Sequence, residues 1–123
     1  AWRNTPVNEG GIGQVEYTLA ADMDHSIAQA YGIESEGGDS YYPAGVAMRA
    51  SFVVDQKGFV RSQIVNDEPI GRNMDELVRI VDALQFFEEH GQVCPAGWNK
   101  GDKGMVNTPE GVASYLAESS EGL

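Results

Sequence analysis

Two short apolar segments separated by a tight turn are the feature that most constrains the fold of this chain. Residues 48–55 and 59–65 each have the length of a strand, and the turn between them ends in Gly58. Glycine at that position favours a hairpin because it adopts a positive φ angle without steric cost. The first segment is apolar on both faces around Phe52, whereas the second alternates polar and apolar residues. We therefore predict a hairpin with a central, buried first strand and an edge second strand.

A long amphipathic helix is predicted after the hairpin. Asn73 followed by Glu76 approximates a capping box, which marks a helix start. Apolar residues then recur at helical spacing up to about residue 89, namely Met74, Leu77, Val78, Val81, Leu84 and Phe87. We interpret this stripe as core. The charged residues between them, Asp75, Glu76, Asp82, Glu88 and Glu89 with Arg79, are interpreted as a solvated face.

Weaker signals predict three further elements. A short strand is expected around residues 18–21, followed by a helix capped by Asp24 and closed by Gly32. Thr108 as N-cap with proline next to it predicts a short helix near the C-terminus. The last residues, 119–123, are expected to fray.

Composition excludes several classes of function. The 123 residues have room for one domain, and no apolar run approaches the ~20 residues that span a bilayer. A net charge of −11 and a pI near 4.3 argue against nucleic acid and anionic membranes as partners. No phosphate-binding, calcium or zinc motif is present, so we expect no cofactor. One cysteine provides no intrachain disulfide, so a cytoplasmic, reducing location is expected.

Arg49 is unusual because it introduces a charge into the strand that is predicted to be buried. An unpaired guanidinium is costly to bury, so it should face a carboxylate, a thiolate or an anion pocket. A structural salt bridge at a strand end explains the residue equally well.

Cys94, the only cysteine, lies in a loop punctuated by glycine and proline just after the long helix. Pro95 directly after it excludes a helix interior. The thiol is thus in a position where local opening costs little and where a redox partner could reach it. The alternative is a small apolar core residue, because free cysteine is among the most buried residue types.

Several segments of the chain resemble typical 2-Cys peroxiredoxins of the alkyl hydroperoxide reductase and thiol-specific antioxidant family. The matching segments lie at residues 1–6, 10–13, 48–52, 55–58, 66–72 and 89–98. The last of them, Glu-His-Gly-Gln-Val-Cys-Pro-Ala-Gly-Trp, resembles the family's resolving-cysteine motif and is highly specific. The family's Pro-x-x-x-Thr-x-x-Cys segment, which contains the peroxidatic cysteine, is absent from these 123 residues.

The resemblance implies an α/β, thioredoxin-like fold. The chain would supply the C-terminal part of its sheet and helices, at residues 1–90, and a C-terminal arm, at residues 91–123. It also implies an antioxidant peroxidase that reduces hydrogen peroxide and alkyl hydroperoxides through a pair of cysteines. The alternative is a catalytically inactive fragment, or an assembly or chaperone-like module of such a protein.

Three site residues follow from the resemblance. Cys94 matches the resolving cysteine, which forms an intersubunit disulfide with the peroxidatic cysteine. Arg49 matches the arginine that activates the peroxidatic thiol and polarises the peroxide, and Arg72 matches a second, supporting arginine. The strand at 59–65 matches the edge that pairs across an antiparallel homodimer, which in the family can build a decameric ring. A thioredoxin-like protein or a flavoprotein disulfide reductase would regenerate the thiols.

Overall fold

The computed structural model describes residues 1–119. Two short 3-10 turns, Trp2–Asn4 and Val7–Glu9, precede the regular elements. These elements are α1 (Ser26–Ala30), β1 (Arg49–Val54), β2 (Val60–Asn66), α2 (Met74–His90) and α3 (Pro109–Ser119). Among the described residues, no helix is both long enough and apolar enough to cross a bilayer.

The predicted hairpin is confirmed. β1 and β2 pair antiparallel from Arg49 opposite Asn66 to Val54 opposite Val60, with a bulge near the turn. Gly58 has a φ of 86°. The Asp55 carboxylate accepts hydrogen bonds from the amides of Lys57 and Phe59, at 2.9 and 3.0 Å. These bonds fix the turn because an aspartate side chain can satisfy main-chain donors two and four residues further on.

The burial predicted for β1 is wrong for the described part of the chain. The strand is half-buried in its middle and exposed at both ends, because within residues 1–119 the sheet has two strands and no second layer over it. Phe52 packs on Tyr31, with ring centroids 4.7 Å apart. β2 pairs only with β1 among these residues. Both strands of a two-stranded sheet are edges, so the edge or near-edge position of β2 in a larger sheet stays a prediction.

The segment before α1 differs from the prediction in two ways. Residues 18–21 form no strand, because no other segment of residues 1–119 lies beside them to complete a ladder. The α1 helix is capped mainly by Asp22 rather than by Asp24. The two carboxylate oxygens of Asp22 accept hydrogen bonds from the amides of Ile27 and Ala28, both at 2.9 Å.

α2 begins and ends as expected. The Asn73 side chain accepts from the Glu76 amide at 3.2 Å, and Gly91, with φ 67°, ends the helix. The core interpretation of its stripe is wrong within residues 1–119, since Met74 and Val78 are 60% and 62% exposed. α2 instead packs against the segment that follows it, through the neighbouring face that contains Arg79, Ala83 and Phe86.

The helix predicted near the C-terminus is confirmed as α3. The Thr108 hydroxyl accepts from the Gly111 amide at 3.1 Å, and Pro109 is the first helical residue. Of the residues predicted to fray, Ser119 is the last residue of α3, and residues 120–123 lie outside the described part of the chain.

Candidate active site

Arg49 and Arg72 lie on the same cavity, which has a volume of about 680 Å³. The cavity is open and otherwise lined mostly by apolar side chains from α1, the following loop and β1. These are Ile27, Tyr31, Ile33, Tyr42, Ala47, Met48, Ala50 and Phe52. Two arginines 23 positions apart in the sequence therefore face one apolar space.

Arg49 is anchored through main-chain groups. Its amide donates to the hydroxyl of the buried Tyr42 at 3.0 Å, and its Nε donates to the Glu68 carbonyl at 3.4 Å. The side chain is exposed, so the burial predicted for this charge is wrong within residues 1–119, and no salt bridge of Arg49 forms there. That the guanidinium faces an anion pocket stays a prediction.

Arg72 connects the segment after β2 to β1. Its Nε and Nη2 both donate to the Ala50 carbonyl, at 3.3 and 3.2 Å. Among residues 1–119, neither Arg49 nor Arg72 forms an ion pair with a carboxylate. Both guanidinium groups thus keep donors and positive charge for an oxygen-containing ligand, a task for which their planar geometry is well suited.

Cys94 lies apart from that cavity, against α2. Its thiol donates a long hydrogen bond to the Ala83 carbonyl, with 3.6 Å between sulfur and oxygen. The residue is half-buried and forms no disulfide. Burial raises the pKa of the Cys94 thiol, and the positive charge of Arg79 offsets part of this rise. The resting sulfur is therefore a neutral thiol with a weak attachment.

The loop around Cys94 is attached to α2 by side chains. Trp98 is 3% exposed, with its ring 5.1 Å from that of Phe86, and its indole donates to the Asp102 carbonyl at 3.0 Å. Val93 and Met105 exchange main-chain hydrogen bonds of 2.9 and 2.8 Å. The loop is thus closed at its two ends, with Cys94 between these attachments.

Two charged residues that the sequence placed on a solvated face of α2 contact this loop. Arg79 forms an ion pair with Glu76 and donates to the Trp98 carbonyl, and Asp82 pairs with Lys100 at 3.0 Å. The face formed by Arg79, Ala83 and Phe86 follows helical spacing. That spacing, on a helix that precedes a cysteine-containing loop, is the sequence signal that could have identified this contact face.

The three predicted site residues fall on two different surfaces. Arg49 and Arg72 share a cavity, whereas Cys94 lies against α2. Residues 1–119 contain no cluster of three or more His, Cys, Asp or Glu side chains suited to holding a metal ion. The chemistry that the described side chains can supply is therefore that of two guanidinium groups and one thiol.

Comparison with known proteins identifies the family. The model of the AhpC/TSA family matches residues 1–63, and that of the C-terminal domain of 1-Cys peroxiredoxin matches residues 83–118. The chain belongs to the AhpC/TSA family. This confirms the resemblance found in the sequence.

Relatives and solved structures agree with this assignment. Alkyl hydroperoxide reductase C of Helicobacter pylori is 52% identical over 120 residues, which cover 98% of this chain and 57% of that protein. Peroxiredoxin-4 of Bos taurus is 40% identical over 94% of this chain and 40% of its own length. The reduced 2-Cys peroxiredoxin of Plasmodium vivax superposes with a TM-score of 0.83 at 40% identity, covering 94% of this chain and 56% of that one.

The AhpC/TSA chain thus spans less than three-fifths of the length of these relatives. The likeness confirms an α/β, thioredoxin-like peroxiredoxin fold, of which the chain forms a part. Its hairpin and helices are consistent with the C-terminal part of that fold.

Proposed function

We propose that the chain is part of a thiol-dependent peroxidase that reduces hydrogen peroxide and alkyl hydroperoxides. The observation that supports this most directly is the shared cavity of Arg49 and Arg72, with two guanidinium groups that lack carboxylate partners within residues 1–119. The relatives named alkyl hydroperoxide reductase C and peroxiredoxin support the same reaction class. In this proposal Arg49 and Arg72 bind and polarise the peroxide, and Cys94 is the resolving cysteine.

The proposed cycle uses two sulfur atoms. A cysteine thiolate outside this sequence attacks one peroxide oxygen, the O–O bond breaks, and the other oxygen leaves as an alcohol or water after taking up a proton. The guanidinium donors would stabilise the negative charge that develops on the leaving oxygen. The resulting sulfenic acid then reacts with the Cys94 sulfur, which forms a disulfide and releases water.

The environment of Cys94 suits the second of these steps better than the first. Attack on peroxide requires a thiolate, and burial raises the pKa of Cys94 and so disfavours its ionised form. Attack on a sulfenic acid also uses the thiolate, but it follows movement of the sulfur out of its half-buried position, where burial no longer disfavours ionisation. The one hydrogen bond of the thiol, 3.6 Å long to Ala83, is a weak attachment that allows this movement.

The proposed partners follow from the edge strand and from the chemistry. β2 presents one unpaired edge among the described residues, with Phe59 and Val60 exposed. An identical strand could pair there across a two-fold axis, giving the antiparallel homodimer at residues 59–65 and, by further association, a ring. A thioredoxin-like protein or a flavoprotein disulfide reductase would supply the two electrons and two protons that restore the thiols. A cytoplasmic location fits a cycle that needs this reductant.

The resolving role is tested by Cys94→Ser in the full-length polypeptide that contains this sequence. Peroxide should give a disulfide-linked dimer on non-reducing gels with the parent protein, and no such dimer with the variant. The first step should survive in the variant, as a sulfenic acid that dimedone traps. A dimer that persists unchanged in Cys94→Ser would contradict the assignment.

A second candidate is a catalytically inactive assembly or chaperone-like module. The observation in its favour is the exposed apolar surface on α2 and at the start of β2, which includes Met74, Val78, Val60 and the preceding Phe59. The intact mass of the polypeptide made in the cell separates the two candidates. A mass near the 13.3 kDa of this chain would contradict peroxide reduction by this molecule through the proposed cycle, since the cysteine that attacks peroxide is not among these 123 residues.

A further inference from the structure

Arg79 forms three hydrogen bonds through its side chain, two to Glu76 on α2 and one to the Cys94 loop. Its Nε and Nη2 donate to the two Glu76 carboxylate oxygens, at 2.6 and 2.8 Å, and its Nη1 donates to the Trp98 carbonyl at 2.9 Å. The side chain is 31% exposed. One guanidinium therefore joins the first turns of α2 to the loop four residues beyond the cysteine.

The fork-like geometry of these bonds fixes the guanidinium in place. Glu76 binds two of the five N–H donors from one side, so Nη1, which donates to Trp98, has little freedom. The Trp98 ring is fixed in turn by Phe86. Moving the Cys94 loop away from α2 therefore requires that the bond from Arg79 to Trp98 be broken.

Arg79 also acts on the cysteine through its charge. The positive guanidinium lowers the pKa of the Cys94 thiol against the larger, opposite effect of burial. The charge and the hydrogen bonds belong to the same side chain, so one residue affects both where the sulfur lies and how readily it ionises.

We propose that Arg79 is a positioning residue for Cys94, which fastens the loop to α2 through Trp98 and keeps a positive charge beside the sulfur. The fastening limits how often Cys94 leaves the Ala83 carbonyl. Its importance for disulfide formation rests on the proposed function, in which Cys94 must move to meet the sulfenic acid. Its effect on the thiol itself does not depend on peroxide.

The test measures alkylation of Cys94 by iodoacetamide in the full-length protein, followed by mass spectrometry of the tryptic peptide that contains this cysteine. Arg79→Met removes the bonds and the charge, and should accelerate alkylation at high pH about tenfold, because hydrogen bonds to charged groups contribute most among such contacts. Glu76→Gln leaves the bond to Trp98 and should give a smaller increase. Arg3→Met is the matched control, since it also removes an arginine that donates to a main-chain carbonyl, that of Val15, but lies outside the C-terminal region and should leave the rate unchanged.

The pH profile separates positioning with charge from a purely structural contact. Arg79→Lys and Arg79→Met both lose the guanidinium fork, but only lysine keeps a positive charge. The pH midpoint of alkylation should therefore be higher in Arg79→Met than in Arg79→Lys. A purely structural Arg79 would give both variants the same midpoint, and that result would overturn the proposal.

An alkylation rate in Arg79→Met equal to that of the parent protein would also overturn it. Circular dichroism confirms that each variant is folded, and Arg79→Lys provides a conservative variant if Arg79→Met is not. Failure of the proposed peroxidase function is a separate result, because it would appear as no peroxide-driven dimer in the parent protein while the alkylation differences persisted.

Discussion

The hairpin region, from α1 to Arg72, and the C-terminal region, from α2 to α3, are held together by different kinds of contact. β1 and β2 pair along their length through main-chain hydrogen bonds, and both cavity arginines are anchored on main-chain carbonyls. In the C-terminal region, Val93 and Met105 pair with each other through main-chain groups, and neither belongs to α2. The loop is attached to α2 by bonds that involve side chains, namely Arg79 to Trp98, Cys94 to Ala83 and Lys100 to Asp82.

This difference suits the two proposed tasks. A ladder of main-chain bonds holds charged groups at fixed positions, which is what stabilisation of a developing charge requires. A loop fastened by a few side chains can open as a unit, because the breaking of a few contacts frees all of it. The arginines thus lie in the region held by main-chain pairing, and the cysteine lies in the region held mainly by side chains.

The largest effect is expected from Trp98→Ala, which removes the one buried side chain of the C-terminal region. Truncation of a buried aromatic residue costs about 3–5 kcal/mol, here concentrated in the Cys94 loop. Hydrogen exchange should become fast at residues 93–105 and stay slow in β1 and β2. Trp2→Ala, which truncates a tryptophan that is 59% exposed, is the control and should change neither. Faster exchange of the strands in Trp98→Ala would show that the two regions are not independent.

Arg49→Met in the full-length protein should change the free energy of unfolding less than Trp98→Ala does. Its effect on the rate of peroxide turnover should be large. Loss of one donor to a developing negative charge lowers turnover by about 10²–10³, so peroxide consumption should fall by this order. Alkylation of Cys94 should be unchanged because Arg49 lies on the other region. Arg3→Met, which removes an arginine that donates to the Val15 carbonyl and does not line the cavity, should retain the parent rate. Undiminished turnover in Arg49→Met would return Arg49 to a structural role.

The local parts of the fold were predictable from the sequence. A hairpin needs only alternation and a residue such as Gly58 that tolerates a positive φ angle, and α2 needs only its caps at Asn73 and Gly91. These signals lie within a few residues of the structures they specify. The strand expected at 18–21 failed because a strand also needs a partner, which no local pattern supplies.

Burial and the site were less predictable because both depend on what lies across space. The stripe with Met74 has the spacing of a core face, yet within residues 1–119 four of its six residues are exposed, and Leu77 and Leu84 are only half-buried. Arg79 lies among other charged residues of α2, a pattern that is typical of a solvated face, yet its guanidinium donates to the Trp98 carbonyl. Arg49 and Arg72 lie close together because β2 runs antiparallel to β1 and brings the chain back to the end of β1 at which Arg49 lies. Sequence spacing alone does not show this.

The smallest expected effect concerns a side-chain contact at the rim of the hairpin region. His25 Nδ1 lies 3.1 Å from a Glu34 carboxylate oxygen, and this contact, with smaller contributions from Asp22 and Asp24, raises the pKa of His25. A raised folded pKa means that the ion pair stabilises the fold fully below the unfolded pKa of His25, and that this stabilisation is lost as the pH rises through the folded pKa.

NMR titration of the His25 imidazole should therefore give a midpoint above the ordinary value of about 6.5, and Glu34→Gln should lower it towards that value. Glu36→Gln, a change of the same kind two residues further along the loop, should leave the midpoint in place. Urea unfolding of the parent protein should show a loss of stability across the titration that Glu34→Gln reduces. Because both side chains are partly solvated, the change should be small and should decrease as salt screens the pair. If Glu34→Gln lost as much stability across the titration as the parent protein, the His25–Glu34 pair would not stabilise the fold. Main-chain contacts alone would then hold α1 to the loop, and the contrast between the two regions would be sharper.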